Sequence, residues 1–371
     1  MKILHIISSG GMYGAEAVIL NLSRTLNEGG HSAVLAVFSN SSNPNLQLHE
    51  AAVNEGIESH LVPCEGQIDR TVLTRIRDLA AKTNPDVVHT HGYKADIYAY
   101  FAMRKSHIPL VSTCHGWIDL NATVALYGIA DRIVLRRFAA VVAVSDEVKR
   151  KLIEAGVSEN RIHLVRNGID LRPFDHAQPS LRSDSTNDDS LIVGLIGRLS
   201  IEKGVDNFLE AAARVLSELP TTKFVVIGEG PDRDKLESLI DNLKIRDNAS
   251  MLGRRTDMPS IYASLDIMVS SSRQEGLPIA ILEGMASSLP IVATAVGEVP
   301  TLISTDETGV LVPSQDVQAL ASATVTLLQN PAERQRLGSA ARRLIEEAYS
   351  AGRMTNEYLG IYQMVSQEKT K

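Results

Sequence analysis

The chain has 371 residues, 44% of them hydrophobic and 4% aromatic, with a formal net charge of −7 at pH 7. This length favours two or three domains, and the excess of acid argues against a general nucleic-acid-binding protein, which is more often basic. No apolar run approaches the length of a membrane-spanning helix, and the 2 cysteines indicate neither a disulfide framework nor a zinc site. We therefore expect a soluble, cytoplasmic protein with a large core of small aliphatic side chains.

Short apolar runs alternate with longer amphipathic ones through the first part of the chain. The pattern predicts strands at 2–7, 32–38, 86–91, 109–115 and 139–145, and helices at 14–30, 127–140 and 146–156. Strands and helices that alternate at this spacing indicate βαβ units and hence a parallel sheet.

The stretch LRPFDHAQPSLRSDSTNDDS at 171–190 has no hydrophobic period, and we interpret it as a connection between domains. The alternation then resumes, with strands at 191–198, 223–230, 265–271, 290–294 and 308–313 and helices at 204–219, 232–243 and 279–287. The sequence thus predicts two doubly wound α/β domains, at 1–172 and 173–352, and a last segment at 353–371. Ligands of such sheets bind beyond the carboxyl ends of the strands, so we expect the site in a cleft between the two domains.

Three glycines follow the first predicted strand, in the segment SSGGMYGAE. Gly10, Gly11 and Gly14 let the backbone come close to a ligand, and the helix that follows can hold an anion or a sugar hydroxyl at its N-terminus. The alternative is a plain glycine turn. The spacing is not GxGxxG, which disfavours a dinucleotide oxidoreductase.

Two cations follow the first strand of the second half, in GRLSIEKG. Arg198 supplies a fork of hydrogen-bond donors and Lys203 a mobile point charge, so together they can neutralise a diphosphate without a metal ion. The alternative is a solvated turn, because lysine and arginine are common on surfaces.

The segment EGLPIAILEGMA places two carboxylates around the start of a helix. Pro278 suits the first turn of that helix, whose free amides face the Glu275–Gly276–Leu277 loop and can bind a phosphate. Glu283, enclosed by apolar residues, can accept hydrogen bonds from a ribose, and Glu275 from a sugar on the diphosphate. The alternatives are that Glu275 only complements the helix dipole and that Glu283 is a surface residue.

Three histidines, His89, His91 and His115, end neighbouring strands of the first domain. A metal site is conceivable, but no carboxylate or paired cysteine supports it, and we predict none. His115, which Gly116 follows, can hydrogen-bond a sugar hydroxyl.

Taken together and in this order, these segments resemble glycosyltransferase family 4, the retaining nucleotide-sugar glycosyltransferases of GT-B fold. The resemblance covers essentially the whole chain, and its most specific element is the Glu–x7–Glu spacing that Glu275 and Glu283 match. It implies transfer of a hexosyl unit from a UDP- or GDP-sugar to a hydroxyl of a glycan or lipid-linked acceptor, as in bacterial polysaccharide biosynthesis. It implies no cofactor and no metal ion, and a last helix that crosses back to the first domain.

The resemblance also implies a role for each site residue. Arg198 and Lys203 would hold the donor diphosphate, and the segment Gly276, Leu277, Pro278 and Ile279 would hold the distal phosphate through its backbone amides. Glu283 would take the ribose, Glu275 the donor sugar, and Arg254, in LGRRTD, would lie beside the base. His115 would line the sugar pocket, and the loop of Gly10, Gly11 and Gly14 would close over the phosphates. His115, Arg198, Lys203 and Glu275 would form the catalytic group, and the family has no settled enzymic nucleophile.

One turn departs from the family pattern, because the chain has Glu298 and Thr301 where the family often has glycine and an acid. Any contact to the donor at that turn is therefore in doubt. Two alternative functions remain on the same fold, a nucleotide-sugar epimerase and a non-catalytic nucleotide-sugar binding protein. The helix predicted at 127–140, with Arg132, Arg136 and Arg137, has either a solvated basic face or a peripheral contact with anionic lipid at the inner face of the cell membrane.

Overall fold

The computed structural model describes residues 1–9, 11, 14–42, 44–66, 68–115, 122–182 and 190–367, without the side chains of 122–126. The chain divides into two compact units, Met1–Gly168 with Ala351–Lys371, and Ile169–Ser350. The first unit is therefore discontinuous, because its last segment follows the whole of the second unit. The sequence predicts these boundaries after residues 172 and 352, a few residues later than the structure has them.

The first unit is built on a sheet of seven strands, all paired in parallel, in the order β3-β2-β1-β4-β5-β6-β7. The strands are β1 Lys2–Ile7, β2 Ser32–Ser39, β3 Glu58–Pro63, β4 Val87–His91, β5 Leu110–Cys114, β6 Ala140–Ala143 and β7 Ile162–Leu164. Every residue of β4, β5 and β6 is buried, which explains why these strands are continuous apolar or weakly polar runs.

Helices connect these strands. They are α1 Gly14–Glu28, α2 Gln47–Asn54, α3 Thr71–Thr83, α4 Tyr93–Met103, α5 Ala122–Leu135 and α6 Asp146–Glu154. The start of α6 shows local sequence control, because Ser145 accepts a hydrogen bond from the Val148 amide and Asp146 and Glu147 complement the helix dipole.

The second unit repeats this architecture with a six-stranded parallel sheet in the order β10-β9-β8-β11-β12-β13. Its strands are β8 Ile192–Ile196, β9 Lys223–Ile227, β10 Ala249–Gly253, β11 Ile267–Ser270, β12 Ile291–Thr294 and β13 Val310–Val312. Its helices are α7 Arg172–Asp175, α8 Val205–Glu218, α9 Arg233–Leu243, α10 Met258–Ser264, α11 Ile279–Ala286, α12 Val299–Leu302, α13 Val317–Leu328 and α14 Pro331–Ala348. The last helix, α15 Ala351–Gln367, belongs to the first unit.

The expectation of two doubly wound parallel-sheet units is confirmed. In the second unit the direction of strand addition reverses between β8 and β11, which are hydrogen-bonded neighbours although two other strands separate them in sequence. Loops that leave the carboxyl ends of such a pair diverge to opposite sides of the sheet and leave a crevice for a ligand.

Three details of the sequence prediction need correction. Helix α5 spans Ala122–Leu135 rather than 127–140, because the chain must turn before it enters β6. The connection at 171–190 is not wholly irregular, since it contains α7, and residues 183–189 lie outside the described part. Strands β3, β7 and β10 were not predicted.

Both cysteines, Cys64 and Cys114, are buried thiols that take part in no disulfide. Within the residues searched, which are the described ones, no helix has the length and apolar character needed to cross a membrane.

Candidate functional site

Two loops of the second unit meet at the carboxyl ends of β8 and β11. Arg198 lies two residues after β8, Lys203 ends a short 3₁₀ turn at Ile201–Lys203, and Glu275 lies between β11 and α11. Because β8 and β11 pair in parallel, both loops emerge at the same edge of the sheet. Residues 72 positions apart in sequence are thereby brought into contact.

A cavity of about 140 Å³ opens between these loops and the start of α11. Of the residues predicted for the donor site, five line it: Arg198, Lys203, Glu275, Pro278 and Ile279. Its volume is below the roughly 300–1,000 Å³ of sites that enclose a drug-sized ligand. The cavity would therefore hold a charged portion of a nucleotide sugar rather than the whole molecule.

Lys203 and Glu275 form an ion pair in this cavity. The Lys203 Nζ donates to Glu275 Oε1 at 2.6 Å and to Oε2 at 2.7 Å, and the Ser272 hydroxyl donates to Oε1 at 2.6 Å. The Glu275 side chain is only 7% exposed, so the lysine compensates the cost of burying this charge. Arg198 is exposed, and its guanidinium makes no hydrogen bond to the described residues.

Two glycines allow the backbones around Glu275 to approach one another. Gly204, at φ 60°, follows Lys203, and a Cβ there would lie 2.2 Å from the Ser271 carbonyl oxygen. Gly297, at φ 53°, follows β12, and a Cβ there would lie 1.9 Å from the Glu275 carbonyl oxygen. Both positions therefore require glycine, for conformation and for space.

Arg273 ties the Lys203 loop to the Glu275 loop, a role that the sequence analysis missed. Its guanidinium donates to the Ile201 carbonyl and to the Asp206 carboxylate, each at 2.7 Å, and its amide donates to the Glu202 carbonyl at 2.7 Å. The only sequence signal was an arginine two residues before Glu275, and its partners could not be read from the chain.

The N-terminus of α11 points free amides at the cavity. Ile281 and Leu282 donate their amides back to the Pro278 carbonyl, which leaves those of Ile279 and Ala280 for a ligand. The helix dipole adds partial positive charge at the same place. This end of the helix suits a phosphate group.

Glu283 lies one turn further along α11 and is not a solvated surface acid. It is half-buried, and its Oε2 accepts a hydrogen bond from the Tyr262 hydroxyl at 2.8 Å. Burial raises the pKa of the Glu283 carboxyl, and the bond from Tyr262 opposes that rise. Tyr262 is a second residue that the sequence analysis missed.

The remaining predicted donor residues lie outside the cavity. Arg254 is exposed just beyond β10, and Gly276, Leu277 and Glu283 are also absent from the described lining. A larger cavity of about 460 Å³ lies elsewhere, between α8 and α9. Its charged lining is Asp206, Glu210, Asp232 and Lys235, an excess of acid that does not suit a diphosphate.

In the first unit, the predicted glycine loop is only partly within the described residues, and Gly10 lies outside them. Gly11 has a φ of 146°, and its carbonyl accepts a hydrogen bond from the Ser9 hydroxyl at 2.8 Å. The same hydroxyl bonds Glu16 at 3.0 Å, and Gly14 is the first residue of α1. These contacts link Ser9 to Gly11 and to Glu16 in the first turn of α1.

The histidines of β1 and β4 form a buried group in the first unit, and His5 is a member that the sequence analysis did not name. His5 Nδ1 and His91 Nε2 are 3.1 Å apart, and His89 bonds the Tyr362 hydroxyl at 2.7 Å and Thr113 Oγ1 at 2.8 Å. Burial lowers the pKa of His5 to about 3 and that of His89 and His91 well below the ordinary value.

The ligating atoms of His5, His89 and His91 lie within 4.8 Å of one another, so neutral imidazoles here could hold a transition metal. Both nitrogens of His89 are already engaged in hydrogen bonds, however, and no carboxylate belongs to the group. The geometry fits a hydrogen-bond network better than a metal centre.

His115 is half-buried at the end of β5, and its Nε2 has no hydrogen-bond partner among the described residues. Burial lowers the pKa of its imidazole to about 4, so the ring is neutral at pH 7. The residues that follow it, 116–121, lie outside the described part.

Comparison with known proteins matches nearly the whole chain in two pieces. Residues 12–172 match the family described as Glycosyltransferase Family 4, and residues 178–344 match Glycosyl transferases group 1. An alpha-D-kanosaminyltransferase from Streptomyces kanamyceticus is 31% identical over 300 residues, which cover 75% of this chain and 77% of that protein. This chain belongs to glycosyltransferase family 4.

A relative and a solved structure are each similar to this family 4 glycosyltransferase over nearly its whole length. An N-acetyl-alpha-D-glucosaminyl L-malate synthase from Bacillus anthracis is 25% identical over 369 residues, covering 96% of this chain and 94% of that protein. The crystal structure of HepE from Anabaena in complex with UDP superposes with a TM-score of 0.83 at 19% identity, covering 98% of this chain and 100% of that one. The resemblance inferred from sequence and the GT-B fold are thereby confirmed.

The departure from the family pattern lies at the N-terminus of α12. Glu298 is buried, and Thr301 is exposed and donates its hydroxyl to the Glu298 carbonyl at 2.7 Å. The neighbouring Gly297 keeps the close approach to Glu275 described above. The turn thus contacts the Glu275 loop through the backbone of Gly297, and this contact does not depend on the side chains of Glu298 and Thr301.

Proposed function

We propose that this glycosyltransferase moves a hexosyl unit from a UDP- or GDP-sugar to a hydroxyl of a glycan or lipid-linked acceptor, with retention of configuration and without a metal ion. The observation that carries the proposal is one cavity lined by Arg198, Lys203 and the first residues of α11. Two cations and a helix N-terminus together suit a pyrophosphate. The HepE structure, whose fold this chain shares, contains UDP.

The chemistry asked of this site is stabilisation of a leaving group. As the anomeric C–O bond breaks, negative charge builds on the diphosphate, and fixed cations and amides stabilise that charge more than the ground state. Because Lys203 and Arg198 supply this charge, no divalent ion is required. The ion pair of Lys203 with Glu275 also means that an arriving diphosphate competes with this carboxylate for the ammonium group.

We assign the remaining site residues to the other parts of the donor. The amides of Gly276, Leu277 and Ile279 would hold the distal phosphate, with Pro278 supplying no donor. Glu275 would hold the transferred sugar, Glu283 the ribose and Arg254 the base. His115 and the loop of Gly10, Gly11 and Gly14 would contribute from the first unit. Support for retention is the naming of two relatives for alpha-D-glycosyl units, since an α-linked product of an α-linked donor keeps its configuration.

The experiment is a thermal-shift screen of UDP, GDP, ADP and the matching nucleotide sugars, with EDTA and with Mg²⁺ or Mn²⁺. A ligand at 100 times its Kd adds about 2.7 kcal/mol to the stability of the protein. We expect UDP or GDP to raise the thermal midpoint by the same amount in EDTA as in the presence of Mg²⁺ or Mn²⁺. Stabilisation that needs a divalent ion would overturn metal independence.

Turnover then tests the activity with Lys203→Ala and a matched control, Lys235→Ala, whose lysine is 80% exposed. Loss of a donor to the developing charge typically costs about 10²–10³ in rate, so we expect that loss for Lys203→Ala and none for the control. A nucleotide sugar that is converted to its epimer without an acceptor would instead favour the epimerase. Tight binding with no product on any acceptor would favour a non-catalytic binding protein.

We also propose a peripheral contact of the first unit with an anionic membrane surface. Ile129 and Ile133, one turn apart on α5, are 55% and 58% exposed, and Phe101 at the end of α4 is 43% exposed. Helices α4 and α5 are neighbours, since Tyr93 and Tyr127 have ring centroids 5.6 Å apart. Exposed apolar side chains on adjacent helices suit the headgroup region of a bilayer.

Positive charge near these apolar side chains also supports contact with an anionic membrane surface. Arg104 and Lys105 follow α4 and Arg137 follows α5, all exposed. The sequence prediction needs one correction here, because Arg136 is not free for lipid but donates to the Ala155 carbonyl at 2.8 Å. The chain would then work at the inner face of the membrane, where a lipid-linked acceptor lies.

Sedimentation with phosphatidylcholine vesicles, with and without phosphatidylglycerol, tests this contact. We expect binding that needs the anionic lipid, weakens with salt and is reduced by Ile129→Glu. The control is Ile153→Glu on α6, where the isoleucine is 42% exposed. Equal effects of the two variants, or no binding, would contradict the proposal.

A further inference from the structure

Tyr262 is a buried residue of α10 whose hydroxyl reaches α11. Its side chain has no exposed surface, and its hydroxyl donates to Glu283 Oε2 at 2.8 Å and lies 3.1 Å from the Ala280 carbonyl oxygen. The contact joins residues 21 positions apart, on two helices that flank β11 in the chain. Nothing in the donor site described so far accounts for this tyrosine.

The tyrosine ring is fixed by its surroundings. Phe174 packs against it edge-on with ring centroids 6.0 Å apart. A Cβ on Gly284 would lie 3.8 Å from Tyr262 Cε1 and 2.5 Å from Met268 Sδ, so the neighbouring turn of α11 is already in close contact. Burial raises the pKa of Tyr262 well above its ordinary value, which keeps the hydroxyl a donor at every physiological pH.

This donor constrains a side chain that would otherwise be mobile. A glutamate on a helix loses considerable rotamer freedom when it is ordered, and Tyr262 imposes that order before a ligand arrives. Glu283 Oε2 is taken by the hydroxyl, whereas Oε1 has no hydrogen bond to the part of the chain that the structure describes. The residue is half-buried, and Oε1 is not among the fully buried side-chain atoms that lack a partner, so this oxygen is the one left to accept from a hydroxyl.

We propose that Tyr262 is a positioning residue of the donor site, which fixes the rotamer of Glu283 so that its carboxylate is set to accept the ribose hydroxyls of the donor nucleotide. The inference rests on the proposed function, because Tyr262 acts only through the ribose contact of Glu283. A fixed supporting hydrogen bond of this kind is what holds a binding group in its productive geometry.

The test compares Tyr262→Phe with the native protein by calorimetric titration with UDP, or with GDP where that is the nucleotide that stabilises the native protein. Phenylalanine keeps the ring and removes only the hydroxyl. We expect the Kd to rise about tenfold, the order of a lost hydrogen bond to a charged group. The matched control is Tyr349→Phe, a buried tyrosine of the same hydrophobic cluster, which we expect to leave the Kd unchanged.

The decisive measurement is the Kd of each protein for the 2′-deoxy and 3′-deoxy forms of the same nucleotide. If Tyr262 acts through the ribose, the variant and the native protein bind a deoxynucleotide with nearly equal Kd. An equal tenfold loss for ribo- and deoxynucleotides would show a merely structural role and overturn the inference, as would an unchanged Kd for the ribonucleotide.

A second pair of variants guards against a general loss of folding. In a Glu283→Ala background, Tyr262→Phe should have no further effect on the Kd, because the group that it positions is absent. A full additive loss in the double variant would overturn the inference. If no nucleoside diphosphate binds the native protein, the proposed function is overturned as well. If nucleotides bind with a Kd that does not depend on the ribose hydroxyls, only the role of Tyr262 is overturned.

Discussion

Single residues decide how closely the loops around Glu275 can pack. Gly204 and Gly297 come from different loops, yet each places backbone against the segment that carries this carboxylate. Arg273, in the same segment, donates its guanidinium to the Ile201 carbonyl and to Asp206. The position of Glu275 thus depends on residues whose own side chains need never touch the donor.

Gly297→Ala tests this dependence. The new Cβ would meet the Glu275 carbonyl oxygen at 1.9 Å, at a φ of 53°. Left-handed conformation alone costs an alanine about 1–2 kcal/mol, and relief of the clash must move Glu275. We expect a lower thermal midpoint together with a large loss of transfer rate.

The control for this change is Gly360→Ala in the middle of α15, where a new Cβ has nothing within 4 Å. Alanine favours a helix over glycine by about 1 kcal/mol, so this variant should be slightly more stable. A Gly297→Ala enzyme with native rate and midpoint would show that the close approach has no role.

Among residues, the sequence identified Lys203 and Glu275 as members of one site but assigned them to different parts of the donor. Their mutual ion pair was not predicted, because a separation of 72 residues leaves no local signal. The roles of Tyr262 and Arg273 were not predicted either, because no local sequence signal marks their partners. Their residue types are ordinary in a helix and in a loop, and only their partners make them notable.

At the scale of elements, the three strands that the sequence analysis missed are all at sheet edges. β3 and β10 each begin or end a sheet, as does β7, and the burial of β3 is largely confined to Val62. An edge strand is covered on fewer sides than a central one, so it need not be a continuous apolar run. The apolar pattern therefore marked every central strand but only one of the four edge strands, β13.

The histidines of β1 and β4 make a prediction for stability against pH. Their pKa values are lowered in the folded state from an ordinary 6.5. Above pH 6.5 both states are neutral and the network has no effect on the pH dependence. Below it, the unfolded chain binds protons that the folded chain does not, so stability falls as pH falls, by up to about 1.4 kcal/mol per pH unit for each histidine.

Asp96 acts in the opposite direction, because burial beside Asp131 raises the pKa of its carboxyl. The folded state then holds a proton that the unfolded state has released, which reduces the steepness of the fall below pH 6.5. Urea unfolding between pH 8 and pH 5 measures the sum, which we expect to be a loss on acidification dominated by the histidines.

His5→Asn should lower the slope of that curve by about one proton. The control is His107→Asn, which removes an exposed histidine outside the buried group, and His5→Asn should change the slope more than this control does. A flat curve in the native protein, or equal slopes for His5→Asn and the native protein, would contradict a neutral buried histidine group.

At the scale of the whole molecule, the first unit is completed by the end of the chain. The hydroxyls of Tyr358 and Tyr362 on α15 bond Thr113 at 2.9 Å and His89 at 2.7 Å, and the Gly168 amide contacts Met354 Sδ at 3.1 Å. The two tyrosines are 1% and 0% exposed. Residues 1–168 therefore do not contain their own complete core.

A chain that stops after Ser350 should consequently lose the fold of its first unit. The helix buries several large side chains, worth roughly 10 kcal/mol, which is comparable with the about 5–15 kcal/mol of a folded domain. We expect aggregation or strong binding of a hydrophobic dye. A chain that stops after Gln367 is the control and should unfold like the native protein, whereas native behaviour of the shorter chain would refute a structural role of α15.

The sequence by itself determined the alternation of strand and helix, the two parallel sheets and the kinds of chemical group in the donor site. These properties are local, because periodicity and motif spacing involve residues within one or two turns or strands of each other. The tertiary structure alone decided that Lys203 pairs with Glu275, that Tyr262 holds Glu283 and that His5 joins His89 and His91. Each of those contacts joins different elements, and only the order of strands in the sheets and the packing of helices on them bring such elements together.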